Sequence, residues 1–147
     1  MGLSMEAITR RSVLELLDGD WAKYVARFQK LPSARQMEFL QQQGYKRLAD
    51  LLAHIVAWWE VGLQNIQAYQ CDPAAWQPEI DIDSFNARAV EQVREVSDAE
   101  EMRVFEAARR KFVEHARALS EADFKDERVL NQIRWELVNH LEDHRIV

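Results

Sequence analysis

The sequence predicts an all-α protein, a four-helix bundle, and three observations carry the prediction. Its 147 residues include only 4 Gly and 3 Pro, about 5% together against an average near 12%, too few breakers for the many turns of a β-sandwich or barrel. Four long segments place apolar residues in steps of three and four, the period of an amphipathic helix. Between them lie Ser-x-x-Glu and Gly-stop signals where helices begin and end.

In the first helix Leu14, Leu17, Trp21, Tyr24, Phe28 and Leu31 form the buried stripe, and Pro32 ends it. Ser12 with Glu15 is a candidate capping box, with an earlier start near Ser4 left open. Gly19 costs about 1 kcal/mol inside a helix and marks a kink. Ser33 with Gln36 is a second candidate box, opening a short helix to about Gln43 that Gly44 stops. The second long helix runs from about Tyr45 to Gln70 and carries two adjacent stripes. Leu48, Leu52, Ile55, Trp59 and Ile66 lie on one, and Leu51, His54, Trp58 and Val61 on the other, a face wide enough for two neighbours.

Residues 73–82 read as an extended crossover, followed by a short helix capped by Asp83 or Ser84 and running to about Val93. Ser97 with Glu100 is the clearest capping box and opens the third long helix, whose inner stripe is Met102, Phe105, Phe112, Ala116 and Leu119. A fourth helix starts near Asp126 and steps through Leu130, Ile133, Leu137, His140, His144 and Val147. With no repeat or linker visible, residues 1–147 read as one domain.

Composition narrows the function. Nineteen Lys and Arg against 25 Asp and Glu leave a net charge of −6, the wrong sign for a protein that neutralises phosphates, so no nucleic-acid partner is expected. The run Arg109-Arg110-Lys111 reads as a solvated helix face. The single cysteine, Cys71, excludes an intramolecular disulfide and, at a helix end, reads as structural. The N-terminal residues 1–12 hold no apolar signal segment. The greasiest stretch, 48–63, is interrupted by Asp50, His54 and Glu60 and is too short for a bilayer. No membrane partner and a cytoplasmic location are therefore expected.

Three of the four histidines stand where apolar residues belong. His140 and His144, at i and i+4, share one face of the fourth helix with Leu130, Ile133 and Leu137, and His54 sits on an inward stripe of the second. An unpaired buried imidazole group costs roughly 1–3 kcal/mol, a cost that a shared divalent ion removes. Three protein ligands leave a fourth position for water, as in catalytic sites, where the pKa of the water falls to about 7. Zinc and nickel lead the candidates, and cobalt or ferrous iron would also accept imidazoles. The competing reading is three hydrogen-bonded core histidines. His115, without a partner at helical spacing, reads as a boundary residue.

Glu136, one turn before His140, is the candidate catalytic residue, as an orienting or proton-relaying carboxyl; the alternative is a solvent-facing partner of Arg134. Trp58 is the candidate pocket wall, or equally core. Because Trp58 and Trp59 cannot face the same neighbour, one of them is free to line a cavity or a dimer surface. Glu142 and Asp143 read as exposed flanks.

Residues 47–60, with Asp50 four before His54 and Trp58 four after, then residues 83–90, then Asn139-His-Leu-Glu-Asp-His144, follow in an order that resembles the DinB/YfiT-like superfamily, including its ClbS/DfsB self-protection branch. The resemblance implies an up-up-down-down four-helix bundle, often a homodimer, with a divalent metal on His54, His140 and His144. It further implies a metal-dependent hydrolase or a transferase using a low-molecular-weight thiol as co-substrate, with Phe85-Asn86 near the pocket mouth. Some members of the self-protection branch lack the triad; here all three positions are histidine. Three functions follow: an enzyme acting on a small-molecule electrophile, a bundle that sequesters a metal or toxic small molecule, and a purely associative bundle.

Overall fold

A computed structural model describes residues 7–146. The alternative helix start near Ser4 and the last stripe position, Val147, lie outside the described residues. All regular structure among them is helical: α1 (Arg10–Asp18), α2 (Tyr24–Gln29), α3 (Ser33–Gln43), α4 (Leu48–Cys71), α5 (Ile82–Gln92) and α6 (Asp98–Ala118) come first. A 3-10 turn (Asp123–Lys125) leads to a last rod made of α7 (Glu127–Ile133), a π-helical segment (Arg134–Asn139) and α8 (His140–Asp143).

The helix α4 is the hub. It packs against α6, α5 and α7, while α1 also lies on α6. Its buried residues include Leu48, Leu51, Leu52, Ile55, Trp59 and Ile66, the two predicted stripes merged into one wide face. Packed on it, Trp21 meets Trp59 edge to face at 4.9 Å, and Trp59 meets Phe105 at 5.3 Å. Such pairs add about 0.5–1.5 kcal/mol each beyond the area they bury.

Local chemistry sets most helix ends. Ser97 accepts from the Glu100 backbone N–H while Glu100 reaches back to Ser97, the expected box. Gly44 stops α3 at φ +85°, in the left-handed region that only glycine adopts freely. Arg128 ties the crossover down: its guanidinium donates to the carbonyls of Tyr69, Asp72, Pro73 and Ala75 while pairing with Asp126.

Several expectations are corrected. The first helix is two, α1 and α2, separated by turns at 19–23, yet Leu17, Trp21, Tyr24 and Phe28 still bury on one side. Its capping box is Thr9 with Ser12, one turn earlier than the Ser12–Glu15 pair, because Ser12 lies inside the helix as the third residue after the cap. Ser33 is likewise inside α3, whose cap is Pro32, and Gln36 Nε2 instead donates to the carbonyls of Phe28 and Leu31. Asp81, rather than Asp83 or Ser84, caps α5 by accepting from the Ser84 N–H. Cys71 ends α4 as expected but is exposed rather than buried. Val129, not Leu130, is the buried residue at the start of the last rod. No helix among the described residues is long and apolar enough to cross a membrane.

Candidate metal centre

The π-helical segment determines what α8 presents. The His140 N–H bonds the Trp135 carbonyl, five residues back, so the rod widens just before the histidines. Two buried indoles brace the widened turns: Trp59 Nε1 donates to the Glu136 carbonyl at 2.9 Å and Trp21 Nε1 to the Leu137 carbonyl at 3.0 Å. At the far end the Tyr24 hydroxyl donates to the His144 carbonyl at 2.5 Å. Gln132, Ile133, Glu136 and Leu137 are all buried on the inner face of this rod.

On this frame one ring nitrogen of each of His54, His140 and His144 lies within 4.8 Å of the other two. Their tautomers can be read from neighbours. Trp58 Nε1 can only donate, and it lies 2.7 Å from Asn86 Oδ1, which fixes that atom as the amide oxygen. The same oxygen lies 3.1 Å from His54 Nδ1, so Nδ1 carries the proton and Nε2 the lone pair. His144 Nδ1 faces Gln43 at 2.6 Å, and with the amide oxygen Oε1 in that place Nδ1 carries the proton and Nε2 keeps a lone pair.

Those two lone-pair nitrogens are 3.2 Å apart. With both Nδ1 atoms protonated, these two nitrogens are both acceptors and share no proton. Two nitrogens at about 2.0–2.1 Å from one tetrahedral ion are separated by roughly 3.3 Å, so the pair is spaced as ligands are. His140, whose buried Nδ1 has no hydrogen-bond partner, completes the set. Burial holds all three rings neutral: it lowers the His54 pKa against the Asn86 bond, and lowers His140 to about 3 and His144 to about 4 with help from the neighbouring imidazoles. Neutral imidazoles are what a divalent metal requires, and on donor type, spacing and tautomer the residues fit one.

Glu136 is buried, not solvent-facing, and it is not paired with Arg134, whose Nη1 donates to Asn131 Oδ1 instead. Gln132 Nε2 donates to Glu136 Oε2 at 2.5 Å, and Gln132 Oε1 accepts from Asn65 Nδ2 at 3.2 Å. The other carboxyl oxygen stands 4.0 Å from His140 Nδ1, beyond hydrogen-bonding distance. Burial pushes the Glu136 pKa up to about 8 against the Gln132 bond, so the carboxyl is protonated near neutral pH.

A cavity of about 1050 Å³ opens beside this carboxyl, lined by Trp58, Trp76, Asn65, Gln132, Glu136 and His140 among others. Trp58 is half-buried and lines it, while Trp59 is core. Phe85 and Asn86 are not at its mouth. Asn86 stands behind His54 and Trp58, and Phe85 packs on the Trp58 ring at 4.4 Å. His115 is a boundary residue, and Glu142 and Asp143 are exposed.

Sequence reasoning missed Gly62, Gln43, Gln132 and Asn65. Gly62 has a legible signal, a glycine in the middle of a long apolar helix where it costs about 1 kcal/mol. A Cβ there would lie 2.5 Å from Glu136 Cγ, so the glycine makes room for the carboxyl. Comparison of the chain with protein-family models, with curated proteins and with solved structures finds no match in any of the three.

Proposed function

We propose that the chain is a metal-dependent enzyme built on a four-helix bundle of the DinB/YfiT-like type, acting on a small electrophile in the cavity beside His140. His54, His140 and His144 hold one divalent ion, zinc or nickel, and the co-reactant is water or a low-molecular-weight thiol. One observation carries the reading: ring nitrogens of His54 and His144 stand 3.2 Å apart, the spacing of two ligands on one ion, with the third ring in reach. Three protein ligands leave a fourth position for water or thiol, and a divalent ion bound there supplies the Lewis acidity that lowers the pKa of either.

The chain's own residues divide the remaining work. Asn86 and Gln43 hold the Nδ1 protons of His54 and His144, so both rings present Nε2. Gln132 donates to Glu136 Oε2, which leaves Oε1, on the His140 side, to carry the carboxyl proton and pass it to a bound substrate. Gly62 and Trp59 keep that carboxyl and its backbone in place. Trp58, tethered by Asn86, walls the cavity.

Metal analysis after equilibration with zinc or nickel and removal of free ion tests the reading. The wild type is expected to retain about one ion per chain, and His54→Ala and His140→Ala to bind at least about tenfold more weakly. A wild type that retains no ion after loading overturns it. A loaded protein that turns over no electrophile, with or without thiol, reduces it to sequestration.

A further inference from the structure

The cavity beside the histidines has a character of its own. Among the described residues, three of the five large exposed hydrophobics, Trp76 (72% exposed), Ile82 (60%) and Trp135 (45%), line it, and Trp58 forms a further wall. Exposed tryptophans carry a cost in water, and their gathering around one concavity is the mark of a ligand site rather than of scattered surface residues. Its ionisable lining is one-sided. Glu79, Asp81 and Asp143 supply carboxylates beside the protonated Glu136 carboxyl, and no lysine or arginine among the described residues lines it. Asp81 is held in place by the Ser84 N–H, and Asp143 lies close enough to His54 to act on its charge.

Indole faces attract cations through their quadrupole, most strongly when the cation is partly desolvated. Carboxylates on a low-dielectric rim add to that attraction and repel anions. We propose that this cavity binds a small organic cation with an apolar body, an ammonium group attached to an aromatic or aliphatic frame. The proposal deepens the enzymatic reading by naming the charge class of the substrate, and it rests on that reading only for what happens to the ligand once bound. It also disfavours the anionic low-molecular-weight thiols as occupants of this part of the site.

Benzyltrimethylammonium is a suitable probe, because its charge is permanent and its nitrogen has no lone pair for a metal. Calorimetry and tryptophan fluorescence would compare it with benzyl alcohol and phenylacetate on the full chain after metal removal, so that no ion contributes to anion binding. The cation is expected to bind at least about tenfold more tightly than phenylacetate, with benzyl alcohol between them, and to bind more weakly as salt rises. Trp76→Ala, at a position 72% exposed, is expected to weaken the cation several-fold, and Glu79→Gln to weaken the cation while leaving benzyl alcohol unchanged. Phenylacetate binding as tightly as the cation, no cation binding at all, or indifference to both substitutions overturns the proposal. Metal analysis of the same preparation separates the two readings. A chain that retains no metal yet prefers the cation fails only the metal-centre reading, and one that retains metal but ignores ligand charge fails only this one.

Discussion

Along α4 and the last rod, two sets of buried polar groups lie about a turn apart and are treated in opposite ways. Around the aromatic core every strong donor has its acceptor: Trp21 on the Leu137 carbonyl, Trp59 on the Glu136 carbonyl, Tyr24 on the His144 carbonyl. At the histidines two ring nitrogens face each other at 3.2 Å, spaced as ligands to one ion, and His140 Nδ1 has no partner. The other buried orphans among the described residues are the Nε atoms of Arg10 and Arg134, whose guanidinium ends are paired elsewhere. A fold that satisfies its core this fully has not left the histidine cluster unsatisfied through loose packing. Interiors keep polar groups unpaired where something else is to pair them.

The largest test of that contrast compares one residue from each set in metal-free protein. Trp21→Ala removes a fully buried indole, its edge contact with Trp59 and the donor to Leu137, and is expected to cost about 3–5 kcal/mol in urea unfolding. His54→Ala removes a ring but also relieves the lone-pair opposition with His144, and is expected to cost less than about half as much. Equal losses would mean that the histidines serve the core.

Gly62→Ala sharpens the comparison where the two sets meet. Helix propensity alone favours alanine by about 1 kcal/mol, but the new methyl would lie 2.5 Å from Glu136 Cγ and 3.0 Å from Oε2. Overpacking of this kind costs about 1–3 kcal/mol, so the expected result is a net loss of stability together with weaker zinc binding. Adding Glu136→Ala should restore the stability lost, since it removes the atoms in the way. A stabilised single variant would show that Glu136 moves aside freely and that the glycine does not position it.

How legible all this was depends on which physical property carries each feature. Helical periodicity and the Ser97 box are local, and they anticipated α4 and α6 to within a few residues. The inward placement of His54, His140 and His144 followed from the same periodicity. The π-helical turn did not, because apolar steps of three and four over six residues fit a regular helix equally well. What opens that turn is tertiary: two indoles, from the segment after α1 and from α4, that bond its carbonyls. Gln132 and Asn65 have polar side chains that sequence patterning assigns to solvent, and only packing joins them to Glu136 as one buried chain. Asn86 lies 32 residues from His54, so its bond to the ring has no local trace.

A smaller prediction concerns a buried carboxyl that belongs to neither set. Glu101 is 3% exposed in the first turn of α6, near Arg47, which precedes α4, and Glu60 of α4. Burial pushes its pKa up to about 7, with Glu60 adding to the shift and the Arg47 guanidinium opposing it. A carboxyl whose folded pKa lies above its unfolded value near 4.5 binds more protons when folded. Its protonated form is therefore favourable below the unfolded pKa, and that contribution is lost as pH rises through about 7. The buried histidines, whose pKa values burial lowers, contribute a slope of the opposite sign below about pH 6.5, so the readout is the difference between two proteins. Across about pH 5 to pH 8, Glu101→Gln, which keeps the shape but cannot ionise, should gain on the order of 1 kcal/mol relative to the wild type. Glu136 shifts in the same direction as Glu101 and the histidines in the opposite one, and both proteins share these contributions, so they cancel in the difference. Parallel stability–pH curves for the two proteins would show that Glu101 reaches water on ionising, and that the interior charge penalty in this fold is confined to the histidine side.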